Sequence, residues 1–531
     1  MKKTLIRMLS LLIALTTIFS LVSCSFVEDM FGEIEDKTDK SKDDEDDSDG
    51  SDNSKDDDKS GGVKVTKIKL EEDDEIESDD LCYVMIYNPK VYDENRYSDN
   101  TVLNTGDFGN QIEVGGSRGD GLTEDAPPYV SFSQSEINAN IPWDKVNLDG
   151  NRGDPLGYDY DEGDTREFYC YSGGNVYSRN AEEFECVYAG KYCYIWSTGA
   201  MDEDDIEEYG EDFDEDIYKE VSETFGTPRF VGESGKVNLL FYSMPSGYGG
   251  CFCMADIFAE GELSESEINS LGANTNHAIL HINADYAKRS DCSTWMHGTM
   301  AHELQHLICG SNYFYTVNET LCRTWLNESM SGYIEEKLYP GAKEEGGHLD
   351  SFLESDLIRR GQSMYNFTTG YDDIGVYGSV YYFAEYMTEA AGNDVFTDVH
   401  DYWRDSYSET LCEAEALINS VSKSFKKKIK NSVSYPEELA FENSDEEWMS
   451  KLILNFYLYL LADEDELDAF EHIEQDELVY DDLESAMIEG GGRIIVAVKD
   501  DEFAVPEDAD SGLIYIGLDK NFEPVGEAIY N

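Results

Sequence analysis

The residues best equipped for chemistry in this chain are His302-Glu303-Leu304-Gln305-His306, two histidines four apart with a glutamate directly after the first. Met300, Leu304, Leu307 and Ile308 recur around them at helical spacing, and Gly310 reads as the stop of that helix. Side chains at i and i+4 leave one helical face about a turn apart, so both imidazoles project the same way. Two nitrogens so placed suit tetrahedral zinc, and Glu303 falls where its carboxylate reaches a zinc-activated water in place of the ion. Only eight histidines occur in 531 residues, so a scrambled chain shows this pentad roughly once in a hundred trials. The competing reading is a pair of histidines on an ordinary helix, and a third ligand decides between them.

The metzincin pattern would need glycine at 309 and histidine at 312; the chain has Cys309 and Asn312, which excludes that subclass. The other solution is a glutamate from a second helix. Thr324-Trp325-Leu326-Asn327-Glu328-Ser329-Met330-Ser331-Gly332-Tyr333-Ile334-Glu335-Glu336 offers one. Leu326, Met330 and Ile334 form its inward side, and Glu328, 22 residues past His306, stands at the margin of that side. Glu335 and Glu336 compete for the same role or are solvated helix charges.

The pentad with Leu307-Ile308, followed by Trp325-Leu326-Asn327-Glu328-Ser329-Met330-Ser331, resembles the gluzincin metallopeptidases and specifically the hyicolysin family. The resemblance covers about residues 205 to 390. Ser329 departs from it, standing where a glycine is expected, at a position that does not touch the ligands. The resemblance implies an α+β fold with a zincin-like, thermolysin-like gluzincin catalytic domain. It implies one catalytic Zn2+ on His302, His306 and Glu328, Glu303 as general base, and endopeptidase action on protein or peptide substrates. An oxyanion donor is expected from a later helix; Tyr377, opening a segment that runs to Met387, is the first candidate, with Tyr371 and His400 behind it. Core packing is the equal alternative for all three. The strand Ile279 to Asn283 resembles the edge strand that aligns an extended peptide by strand addition. His277 and His281 share one of its faces and either meet substrate or satisfy buried carbonyls. The competing class is an inactive relative serving as a binding or adhesive surface lipoprotein, which would have no need of Glu303.

The rest of the chain sets the context. A net charge of -75, from 39 basic and 114 acidic residues, excludes nucleic acid as a partner and repels anionic surfaces. It suits solubility outside the cell, with a bias toward basic substrates as a lesser reading. Calcium is a further possibility, but the acidic run from Asp149 to Asp164 lacks the regular calcium-loop spacing. Lys2, Lys3 and Arg7, then the apolar stretch Met8 to Val22 and Leu21-Val22-Ser23-Cys24, read as a lipoprotein signal peptide over 1-23 with lipid on Cys24. Ser25 in place of aspartate favours the outer surface. The expected site of action is thus the extracellular face of a bacterial cell or outer membrane, held there by the lipid.

Residues 24-62 are an acidic linker, and its run Asp43-Asp44-Glu45-Asp46-Asp47 has nothing apolar to bury. Residues 63-199 carry short aromatic and β-branched runs, expected to form a β-rich N-terminal domain. The metallopeptidase domain is expected over 200-490, opening with a helix at 204 to 225 and strands at 237 to 242 and 278 to 283. A small C-terminal β-unit is expected over 491-531. Leu452 to Leu461 reads as a buried helix too short to span a membrane. Ten cysteines remain besides Cys24; Cys251 and Cys253 read as packing or disulfide partners before ligands of a second metal. Cys309 could pair with Cys322 and fix the distance between ligands.

Overall fold

The computed structural model describes residues 65–71, 75–89, 158–171, 179–228, 235–245, 248–258, 261–316, 324–340, 361, 363–364, 375–405, 413–439, 441, 444–461, 488, 490–498, 502–505 and 512–530. The signal segment with Cys24, the acidic linker, Tyr371 and Cys322 lie outside them.

Six strands make the larger sheet: β4 (Thr165–Cys170), β5 (Asn180–Ala189), β6 (Cys193–Ser197), β7 (Val237–Tyr242), β8 (Gly250–Phe252) and β9 (Ile279–Asn283), in the order β4-β5-β6-β7-β9-β8. β7, Val-Asn-Leu-Leu-Phe-Tyr, is buried at every residue. A strand covered on both faces reads as a continuous apolar run, and β7 pairs in parallel with both β6 and β9. The surface hairpin β4-β5 alternates instead, with Phe168 and Phe184 inward and glutamates outward. Parallel neighbours need crossovers. Between β6 and β7 the crossover is a helix expected over 204 to 225 and found as α1 (Glu203–Asp212), a π turn (Phe213–Ile217) and α2 (Tyr218–Phe225).

Helices complete the layer over this sheet. The longest, α3 (Ser293–Thr316), carries the pentad, and α4 (Thr324–Leu338) carries Glu328. α4 packs against both α3 and α5 (Gly375–Ala391), with Trp325 edge-on to Phe383 at 5.6 Å between ring centres. α6 (Val395–Asp405) follows, and α7 (Ser444–Leu460), the buried helix expected near 452 to 461, backs the stack. No helix among the described residues is long and apolar enough to cross a membrane. The fold is mixed α+β.

Two sequence readings are revised by this arrangement. β9 is not an edge strand: β7 and β8 flank it, and three-residue β8 is the edge, antiparallel to β9 with Cys251 opposite His281. Gly310 does not stop its helix, since α3 runs on to Thr316. A Cβ at 310 would lie 2.8 Å from the Phe252 ring, so the glycine lets β8 lie close against the helix. Residue 199 lies between β6 and β7, which are paired neighbours. The strands to either side of the chain's middle also join: β1 (Leu70–Glu71), β3 (Tyr83–Tyr87), β10 (Arg493–Ala497), β12 (Ile514–Leu518) and β13 (Ala528–Tyr530) form one sheet, β1-β13-β12-β3-β10. Beside it β2 (Glu75–Glu77) pairs with β11 (Glu502–Ala504).

Candidate metal centre

α3 is enclosed nearly all round, with Met296, Met300, Ala301, Leu304, Leu307 and Ile308 buried. A helix without a wet face buries its polar residues too, and His302, Glu303, Gln305 and His306 are all buried. Burial of that many polar groups is costly unless each has a partner. The partners of the two histidines come from α4.

His302 and His306 project together, rings 4.7 Å apart and nearly perpendicular. Glu328 reaches between them: its Oε2 lies 3.1 Å from His302 Nε2 and 3.4 Å from His306 Nε2. One nitrogen from each ring and one carboxylate oxygen fall within 4.8 Å of one another, the one such group among the described residues. Ligand bonds of about 2.1 Å in a tetrahedron set neighbouring donors about 3.4 Å apart, so the three side chains fit a single ion. His306 Nδ1 and Glu328 Oε1 have no hydrogen-bond partner among the described residues.

The electrostatics agree with that donor set. Burial opposes ionisation of Glu328, but the His306 charge and the hydrogen bonds from His302 and His306 outweigh it and take the carboxyl down to about 2. Burial alone would lower His302; the carboxylates of Glu328 and Glu335 reverse this and hold it well above its ordinary value. Glu303 differs. Burial pushes it up to about 7, against the pull of His306, His302 and the Phe252 amide. Neither Glu303 oxygen makes a hydrogen bond of ordinary geometry. A buried carboxyl poised near neutrality is suited to taking up and returning a proton.

β8 closes in on Glu303. A Cβ on Gly250 would stand 2.8 Å from Thr299 Cγ2, 2.9 Å from the His281 carbonyl and 3.3 Å from Glu303 Cγ, so only glycine lets the edge strand lie this near the base. The sequence places Cys251 and Cys253 on a probable strand, which is found as β8, ending at Phe252; three residues are too few for a periodic signal to show how close it lies to the helix, and Gly249-Gly250 was the available clue.

The structure separates the other expected residues. His277 and His281 are buried and bonded: His277 Nδ1 donates to the carbonyl of Asn274 at 2.8 Å, and His281 lies between Asp256 and Tyr242, each at 3.1 Å. Burial lowers both imidazoles, so they are neutral structural residues. Arg179 completes that buried cluster, its guanidinium 2.8 Å from Asp256. Tyr377 is buried at the start of α5. His400 packs against Phe225 and Trp403 at 5.0 and 5.4 Å. Cys251, Cys253 and Cys309 are free thiols, and no two cysteines are joined among the described residues. Ser329 donates its hydroxyl to the Trp325 carbonyl, so its departure from the expected glycine costs no unpaired group. Glu335 takes neither role foreseen for it: it bonds His302 from the far side of the ring.

No protein-family model matches the chain. Among curated proteins it is similar to the neutral metalloprotease ShpI of Staphylococcus hyicus, 23% identical over 247 residues. The match covers 44% of this chain and 53% of that protein, so the chain spans about half the length of the relative it matches. A metalloprotease is therefore a distant relative of the chain, and the His302, His306, Glu328 group is where a metal can bind.

Proposed function

We propose that this protein is a zinc-dependent endopeptidase of the gluzincin type, exported as a lipoprotein and held by lipid on Cys24 at the outer face of the bacterial envelope. His302, His306 and Glu328 hold the ion, and Glu303 is the general base. The observation that carries the reading is the convergence of those three buried donors with the buried carboxyl of Glu303 next to one of them. The distant similarity to a metalloprotease supports it. The anchor rests on the sequence from Lys2 to Cys24.

Zinc bound there would supply a Lewis acid that polarises the scissile carbonyl and acidifies water. Glu303 takes the proton of the attacking water and delivers it to the leaving nitrogen. Its position, dry and one residue from a ligand, keeps the proton at the reacting atoms. β8, the last strand of the larger sheet among the described residues, aligns an extended peptide by strand addition, and Tyr377 is the candidate donor to the oxyanion.

Casein hydrolysis by the purified chain tests the reading, together with its zinc content. Glu303→Gln should keep one zinc per chain and lose activity by at least about a thousandfold. A chain that binds zinc but cleaves nothing would instead be the inactive, adhesive relative; one that holds no zinc at neutral pH would end the assignment.

A further inference from the structure

We infer that Glu335 is a positioning residue for the first histidine ligand, an inference that rests on the metal-centre reading above. The two nitrogens of His302 face two different carboxylates. Nε2 lies 3.1 Å from Glu328, while Nδ1 lies 3.0 Å from Glu335 Oε2 on the opposite edge of the ring. An ionised carboxylate only accepts hydrogen bonds, so Nδ1 carries the hydrogen. With Nδ1 holding its hydrogen against Glu335, a cation reaches His302 by displacing the Nε2 proton that faces Glu328. A hydrogen bond of this kind also fixes the ring plane and raises the basicity of the ligating nitrogen. Glu335 cannot itself be the third ligand, because it sits behind the ring that the ion would face.

Three further features of α4 fit the assignment. Glu328 and Glu335 are seven residues apart, about two turns, so both carboxylates leave the same face of the helix toward α3. The helix that supplies the third ligand thus also orients the first. At the position one turn after Glu328 the chain has Gly332, packed near Tyr381 with a built Cβ 3.8 Å from it, so no carboxylate comes from there. On α3, one turn before His302, a Cβ at Gly298 would stand 2.9 Å from Glu335 Cγ. Space for the Glu335 arm is therefore built into α3 at Gly298.

A mere salt bridge between helices would stabilise the fold and leave metal affinity alone. The two roles separate in a competition experiment. Zinc affinity of the full chain is measured against a chromophoric chelator for wild type, Glu335→Ala, Glu335→Gln and Gly298→Ala, with the visible spectrum of the cobalt-substituted proteins. Glu335→Ala should weaken zinc binding about 10- to 100-fold. Glu335→Gln, which keeps an accepting oxygen at the same reach, should recover most of that loss. Gly298→Ala, which crowds the arm without removing the carboxylate, should fall between them, and the cobalt spectrum should change in the same order. Equal zinc affinity and unaltered cobalt spectra across the series would overturn the role of Glu335 and leave the metal centre standing. Failure of the wild-type chain to bind zinc would overturn the metal centre itself, and this inference with it.

Discussion

Gly250 shows how far the site depends on a hydrogen atom in place of a methyl group. Its neighbours include a backbone oxygen, which cannot rotate away, and the stem of the proposed base. Gly250→Ala must therefore push β8 off α3. We predict a loss of about 1–3 kcal/mol in stability and a tenfold or greater loss of peptide hydrolysis, with zinc content unchanged because no ligand is touched. Thermal melts, hydrolysis rates and zinc stoichiometry on one preparation check this; a variant that sheds its zinc would place Gly250 under the metal instead of under the base. The same scale shows what a sequence can disclose. His302 and His306 were legible because the i, i+4 relation is local and any helix enforces it. Glu328 was legible because its margin position follows from the apolar side of its own helix. Glu335 was not, because its partner is fixed by the register of two helices against each other.

Among the elements, β8, β9 and the turn after β8 are locked by a buried cluster on residues far apart in sequence. Arg179 and Asp256 pair at 2.8 Å with side chains 2% and 0% exposed, so each offsets much of the cost of the other's buried charge. His281 donates Nε2–H to Asp256 and accepts at Nδ1 from the Tyr242 hydroxyl. Burial opposes the ionisation of Asp256, yet Arg179 and His281 draw it down to about 2 from an ordinary 3.8. Below 3.8 the unfolded chain binds a proton that the folded chain refuses, so about 2 kcal/mol of stability is lost as pH falls from 3.8 toward 2. His277 and His281, lowered from 6.5 by burial, act in the same direction at higher pH. They cost stability as pH drops below 6.5. Urea midpoints should therefore fall in two stages, one starting below 6.5 and one below about 4.

Arg179→Met tests the pair directly. It leaves Asp256 buried without its cation, so stability at pH 7 should drop by about 3–5 kcal/mol. The acid limb below pH 4 should flatten or reverse, since protonation would now relieve the buried charge. An unchanged midpoint and pH profile would show that the cluster contributes nothing. No local pattern announced it: Arg179 lies in a polar stretch, and Asp256 within Met254-Ala255-Asp256-Ile257-Phe258 looks like an interruption of a core segment. Strand order failed for a related reason. β9 read as an edge because edges are properties of a sheet's order, which no single strand reveals, whereas β7 was found to the residue because its apolar run is self-contained.

At the scale of the whole molecule, the two ends of the described chain are one structure. β3 pairs along its full length with β10 on one side and β12 on the other. One face of this sheet, with Val84, Ile86, Ile494, Val496, Tyr515 and Ile529, makes a small core of its own. The other face turns to α7, where the Tyr87 hydroxyl donates to the Ser450 carbonyl at 2.9 Å and the Tyr457 hydroxyl to the Gly491 carbonyl at 2.8 Å. α7 in turn packs Phe456 on Phe383 of α5, and Phe383 meets Trp325 of α4, three residues before Glu328. The small sheet thus buttresses the stack that presents the third ligand. Removing residues 491–531 would strip β3 of both neighbours and take away the buried Ile494, Ile495, Val496, Ile514, Tyr515, Ile516, Leu518 and Ile529. At about 1.5–3 kcal/mol for each large apolar side chain, that is about 12–24 kcal/mol, comparable to or larger than the roughly 5–15 kcal/mol by which proteins are stable. We predict that the shortened chain loses amide-exchange protection in β3 and α7 and binds zinc at least tenfold more weakly than the full chain. Retention of full protection in α7 with native zinc affinity would mean that the residues after 490 are an appendage, and that α7 holds α5 and α4 in place unaided.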